Sequence, residues 1–481
     1  MSSLFRNRKS SSGEGARNRL GGRGGRGRMV ALSLAGVLLA GGIGWTATQH
    51  GPSAESDTVG VVSASGSPDG VQTLVSAEGS VYALAEDGSG IYKVTALDAW
   101  VKVGDGARQI FGGGAGLFAM SQQDGSIVRY AEGEWTPVGG PGAEFAVTDE
   151  GLFGLSPDKS AVNQWTSEKG WTTVGGPAEH LYGGGAGLFA TSQQDGSIAR
   201  YDDGGWTRIG DPGAEFAVTD EGLFGLTPDK SAVNQWTSEK GWTTVGGPAE
   251  HLYGGDRGLL ATARDTGNVM RLDTRQGTWE TIGGPGALFL SVNSTVYGVG
   301  PDRAGVARLV SPGNWLRTAG LTDVQPAAVS VDQKVQRLNE FTQQGDEAFN
   351  AWVAARASHF ANEPDPYKFN WEDNGCNVVK NSLEVAGFRF KNACVRHDFG
   401  YRNYQEALGE EGFRHGVAGQ TGLGDQSPKA MIDLVFKQDL HKECNRPVMS
   451  GRYPVARPAI QVSACTAAAD EMVEAVVAAG S

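Results

Sequence analysis

The chain has 481 residues, 20% of them charged, and a formal net charge of −13. That length exceeds one ordinary domain and allows two cores, while 12 tryptophans and 39% hydrophobic residues exclude a disordered chain. Residues 1–50 carry eight Lys or Arg against one acid, a local +7 that leaves −20 for the remainder; an acidic body argues against nucleic acid as a partner and against simple docking on anionic lipid.

Residues 1–28 form a basic segment rich in Arg, Ser and Gly, and an apolar run follows from Met29 to Thr46. As a helix that run would span about 27 Å, close to the thickness of a bilayer core. Positive charge ahead of it holds the N-terminus in the cytoplasm and sends the rest across the membrane. Residues 29–48 are therefore expected to be a signal peptide or a signal anchor. Both readings stand, because no clean A-x-A cleavage site follows. The protein is accordingly expected to be secreted or anchored at the cell surface. Residues 49–69, rich in Ser and Gly, read as a linker.

A repeat occupies residues 70–322. Trp100, Trp135, Trp171, Trp206, Trp242, Trp279 and Trp315 recur every 35 to 37 residues, each opening a variant of W-x-x-[VIA]-G, with Trp315-Leu-Arg-Thr-Ala the most divergent. A longer block starting at Gly116 returns at Gly187, and one starting at Pro141 returns at Pro212, both 71 residues on. Within one unit, Glu144–Thr148, Gly151–Leu155, Ala161–Trp165 and Trp171–Val174 read as four short strands separated by Gly, Pro, Asp or Ser. Four strands per repeat is the content of one propeller blade, so an all-β propeller of about seven blades is expected, with six or eight as the alternatives. The pattern resembles tectonin-type repeats and related lectin-like propellers, which implies a glycan or cell-envelope polysaccharide as ligand. Each series Trp is expected to pack between blades. Trp165 and Trp236, outside the series, are the candidates for exposed stacking platforms, with core packing the equal alternative, and His180 and His251 are repeat equivalents suited to blade hydrogen bonding or to ligand binding.

Beyond a linker at 323–332 the pattern turns helical. Val335, Leu338, Phe341, Phe349, Trp352 and Val353 mark apolar faces of two helices, and Ile432, Val435, Phe436 and Leu440 line a third over Lys429–Lys442. Cys444 follows that helix, and Cys465 precedes a last one over Ala467–Ala479. All four cysteines (Cys376, Cys394, Cys444 and Cys465) lie in this part, and in an exported domain they read as two disulfides with three pairings open. No CxxC spacing supports a structural zinc. Residues 333–481 are thus expected to be a small, disulfide-bonded, all-α domain.

The chemistry lies in Cys394-Val-Arg-His397-Asp398-Phe-Gly-Tyr401-Arg-Asn-Tyr404. On a helix, adjacent residues point about 100° apart, so His397 and Asp398 face different clients. One can take a proton while the other holds a cation, which suits ester hydrolysis assisted by a hard metal ion. No serine elbow of the G-x-S-x-G type accompanies the site.

This motif, the Phe369-Asn-Trp371 before the first cysteine, the later Ile432-Asp433 and the four cysteines together resemble the secreted phospholipase A2 family of bacteria and fungi. The resemblance implies disulfides Cys376–Cys394 and Cys444–Cys465, and His397 as the general base oriented by Asp433. It also implies Ca2+ held by Asp398, the Gly375 carbonyl and the side chain of Asn374, with Tyr401 against the substrate. The implied reaction frees a fatty acid and a lysophospholipid from the sn-2 ester of glycerophospholipids in membranes or micelles. The family usually carries Asp where Asn374 stands, and Asp373 sits one residue earlier, a position from which it could compensate. Gly409–Gln426 looks like an insertion, read either as a lid or as a solvated loop. The rival expectation is a carbohydrate-binding surface protein with an inactive phospholipase-like domain.

Overall fold

The computed structural model describes residues 70–256, 258–321, 329–373, 384–385, 388–416, 427–450 and 453–479. The N-terminal segments through residue 69 lie outside them, as do Asn374, Gly375 and Cys376. Among the described residues no helix is long and apolar enough to cross a membrane. The chain divides into two compact units, one ending at Leu321 and the other made of Thr322 onwards together with Val94–Val101.

The first unit consists of seven four-stranded antiparallel sheets, each made from one continuous stretch with its strands in sequence order. It is a seven-bladed β-propeller. In the third blade the strands are Glu144–Thr148, Gly151–Leu155, Val162–Thr166 and Gly170–Gly175, within one residue of the sequence expectation at most ends. Burial explains the patterning. The second strand, Gly-Leu-Phe-Gly-Leu, is buried throughout, whereas the fourth exposes its central threonines. A strand covered on both faces reads as a continuous apolar run, and an outer strand does not.

The W-x-x-[VIA]-G signature is a device for joining blades. Trp171 Nε1 donates to the Val138 carbonyl of the preceding blade at 2.7 Å, and Trp135, Trp206, Trp242, Trp279 and Trp315 make the same bond at 2.7–3.1 Å. Glycines ending these motifs make room for the next blade's tryptophan: a Cβ at Gly139 would stand 2.6 Å from Trp171 Nε1, and one at Gly246 2.6 Å from Trp279 Nε1. Trp165 and Trp236 prove to be seam residues as well. Each is partly buried, edge-on to Phe118 and Phe189 respectively, with ring centroids 5.7 and 5.9 Å apart. Of the two expectations for these residues, core packing is the one found, because a flanking blade packs against the rings.

His180 and His251 hook neighbouring blades together, through Nδ1 to Glu144 Oε2 at 3.0 Å and to Glu215 Oε2 at 3.2 Å. The ring closes without a shared strand. Val71 N donates to the Arg303 carbonyl at 2.9 Å, and Arg303 returns bonds to the Val71 and Gln72 carbonyls. The first strands line an axial cavity of about 750 Å3, with Glu78, Asp149, Asp220 and Asp256 among its lining residues.

The second unit is helical: α1 (Val331–Phe341), α2 (Asp346–Phe360), α3 (Lys391–His415), α4 (Pro428–Asn445) and α5 (Ala459–Ala479), with two short hairpins. A capping box at Ser330 starts α1, and Ser427 caps α4 with Pro428 in its first turn. Ile432, Val435, Phe436 and Leu440 are buried as their spacing implies, whereas Val353, one position round from buried Trp352, is exposed. Helices α4 and α5 both extend beyond the expected ends, so Cys444 and Cys465 sit inside helices and not beside them. Their disulfide ties α4 to α5. Closing a loop of this length contributes about 3 kcal/mol by restricting the unfolded chain. Cys394 is also disulfide-bonded. Its implied partner, Cys376, lies outside the described residues.

Candidate active site

Helix α3 carries the central motif, and three of its polar side chains build the surroundings of the site. Arg396 is 2% exposed; it donates to both carboxylate oxygens of Asp439 on α4, to the Phe341 carbonyl at the end of α1 and to the Gln343 carbonyl beyond it. Burial raises the Asp439 pKa despite this partner. Tyr404, fully buried, bonds Asn339 of α1 and Thr342. Asn403, also fully buried, accepts from Asn370 N at 2.8 Å and donates to the Asn370 carbonyl at 2.9 Å. Asp365 gathers Tyr367 N, Phe369 N and Trp371 Nε1, and the Trp371 ring stacks on Phe399 of α3 at 4.5 Å. The segment leading towards Asn374 is thereby pinned to the helix that bears the histidine.

Facing α4, His397 Nε2 lies 3.0 Å from Asp433 Oδ1. An ionised carboxylate only accepts, so Nε2 carries a hydrogen, and in the neutral imidazole this leaves the lone pair on Nδ1. The imidazole is nearly buried, 4.3 Å from the Tyr401 ring and 4.7 Å from the Phe436 ring between centroids. Tyr401 donates its hydroxyl to the same Asp433 oxygen at 2.7 Å. Its own pKa is pushed far up by burial and by that neighbouring carboxylate. Lys429 binds the other oxygen, Oδ2, at 2.9 Å. Burial works against the charge on Asp433, but hydrogen bonds from His397, Tyr401 and Lys429 outweigh it and hold the carboxyl below its ordinary pKa.

Of the implied metal ligands, Asp398 alone is among the described residues, half-buried and next to His397 on α3. Its carboxylate is a hard oxygen donor of the kind calcium takes. Among the described residues no three His, Cys, Asp or Glu side chains converge as a metal cluster. Asp373, a candidate substitute for the neutral Asn374, is instead paired with Arg356 at 3.3 Å. The expected insertion begins differently as well. Helix α3 kinks at Gly409, where φ is +69°, and continues to His415. Phe413 is thereby fully buried against Tyr401; residues 417–426 lie outside the described part.

Sequence reasoning brought His397, Tyr401 and Asp433 to one place and missed Asn403 and Lys429. The signal for both was spacing. Asn403 is one helical turn beyond Phe399, and Lys429 one turn before Asp433, so each shares a helix face with a residue already singled out.

The family model for prokaryotic phospholipase A2 matches residues 346–480. A secretory phospholipase A2 of Beauveria bassiana is 34% identical over 85 residues, which are 18% of this chain and 36% of that protein. The chain therefore spans about a third of the length of this curated relative. Among solved structures, virginiamycin B lyase from Staphylococcus aureus covers 49% of the chain at 13% identity with a TM-score of 0.37, and 93% of its own chain is covered. An uncharacterized protein from Listeria monocytogenes covers 52% at 12% identity with a TM-score of 0.40, with 95% of its own chain covered.

Proposed function

We propose that the chain is an exported, calcium-dependent phospholipase A2 that cleaves the sn-2 ester of glycerophospholipids, with a propeller that targets it to a surface or glycan. The observation that carries this reading is the His397–Asp433 pair at 3.0 Å, built on the family motif inside the matched region. Asp433 fixes the protonated Nε2, and Nδ1 takes a proton from a water molecule. The freed electron pair of that water attacks the sn-2 carbonyl carbon. The proton then passes from His397 to the departing glycerol oxygen as the ester C–O bond breaks, so no acyl-enzyme forms. Calcium held by Asp398, Gly375 and Asn374 would supply positive charge for the substrate phosphate and the developing oxyanion. Asn374 contributes one neutral oxygen, so the metal is expected to bind more weakly than with Asp at that position, and Asn374→Asp to bind it more tightly. Tyr401, with its hydroxyl committed to Asp433, can meet substrate only through its ring.

The propeller reading rests on the repeat signature and the axial cavity. Because its tryptophans occupy seams, a glycan would meet the carboxylates and glycine backbone of that cavity in place of stacked indoles. Retention of the full chain on cell-envelope polysaccharide supports this half, and passage without retention removes it.

Fatty-acid release from phosphatidylcholine vesicles tests the catalytic half. Release in calcium that stops with chelator, and is absent in His397→Ala, is expected. No release by the unsubstituted chain across phospholipid classes would leave the rival reading, a surface-binding protein with an inactive domain.

A further inference from the structure

Lys429 stands where helix energetics alone would not place it. It lies in the first turn of α4, where the helix dipole disfavours a cation. It also precedes its acidic partner at i,i+4, the weaker order for such a pair. Both side chains are nonetheless largely withdrawn from solvent, 14% and 13% exposed, with Nζ 2.9 Å from Asp433 Oδ2. The ammonium also lies 5.7 Å from the centre of the Tyr401 ring. A solvated surface pair has neither this burial nor this second contact.

Asp433 Oδ1 already accepts from His397 at 3.0 Å and Tyr401 at 2.7 Å. The torsion that turns a carboxylate is broad and roughly two-fold, so two donors on one oxygen do not hold its plane. A third donor on the other oxygen does. We infer that Lys429 is a positioning residue for the general base: by occupying Asp433 Oδ2 it commits Oδ1 to His397 and Tyr401. This rests on the reading of His397 as base and Asp433 as its orienting carboxylate. Ser427, which accepts from Ala430 N, and Pro428 start the helix so that Lys429 and Asp433 fall one turn apart on the same face.

The test is a double-mutant cycle on the full chain, with steady-state hydrolysis of phosphatidylcholine vesicles at saturating calcium. Lys429→Met is expected to lower kcat about tenfold with KM held within about twofold, and Lys429→Arg to restore most of the loss. In an Asp433→Asn background, Lys429→Met should cost nothing further, because the oxygen it positions has lost its role. A kcat for Lys429→Met within about twofold of the unsubstituted chain overturns the inference. So does the same tenfold loss in both backgrounds, which would mark a merely structural residue. Should Lys429→Met fail to fold by thermal melt, Lys429→Gln takes its place with the same expectations. An unsubstituted chain that releases no fatty acid defeats the underlying reading instead, and is told apart by that alone.

Discussion

Among the described residues, histidine–carboxylate pairs with nearly the same separation occur in both units. In the propeller, His180 meets Glu144 at 3.0 Å; in the helical domain, His397 meets Asp433 at 3.0 Å. Distance does not separate them, but their surroundings do. Glu144 spends its second oxygen on Leu181 N, a backbone group of the next blade, and the whole arrangement recurs 71 residues on with His251, Glu215 and Leu252. A pair repeated with the blades serves the blades. The His397 pair occurs once, its carboxylate takes three side-chain donors, and the next residue along the helix is a second carboxylate. What sets the proposed catalytic pair apart is therefore how its acid is oriented, and not the pair itself.

Substitution can break that comparison most sharply at the two histidines. His397→Ala should lower fatty-acid release by about 10²–10⁴-fold, the range for loss of a general base, whereas His180→Ala should leave it unchanged. Equal losses would erase the distinction. Next in size is Arg396→Met, which leaves Asp439 buried without its partner and is expected to cost about 3–5 kcal/mol in denaturant unfolding of the helical domain. The propeller counterpart is Gly139→Ala. Its methyl would press on Trp171 and cost about 1–3 kcal/mol in melting of the propeller. A melt unmoved by either change would contradict the packing described.

The smallest effect concerns pH. Glu215 raises the pKa of His251 from its ordinary value of 6.5 by hydrogen bonding, against burial, which lowers it. A raised folded pKa means that the hook's contribution is fully present below about pH 6.5 and fades as pH rises through the folded value. His251 is about a third exposed, so solvent screening keeps the effect below about 1 kcal/mol. A small decline in propeller melting temperature across that window, absent in Glu215→Gln, is expected.

How far the sequence could be read differed between the two units for physical reasons. A blade is a local object: its four strands are consecutive, and a motif such as Trp171-Thr-Thr-Val-Gly encodes its own join to the next blade. The count of seven and most strand ends were therefore legible, while the fate of Trp165 was not, because its cover, Phe118, comes from another repeat. In the helical domain the His397–Asp433 pair was legible only through the family motif, since the two residues lie 36 positions apart. Asn403 and Lys429 act through geometry that a linear motif does not display: one grips a loop 33 residues away, the other the far oxygen of an acid. The helix ends at Cys444 and Cys465 were missed because a disulfide can sit within a helix as readily as after it.

One measurement bears most directly on the central claim. Vesicles of a phosphatidylcholine with different acyl chains at the two ester positions, incubated with the full chain in calcium, report which bond is cut. The account predicts release of the sn-2 acid alone, with the matching lysophospholipid, and silence when the calcium is chelated. Release from the sn-1 position, or undiminished release in chelator, would contradict it.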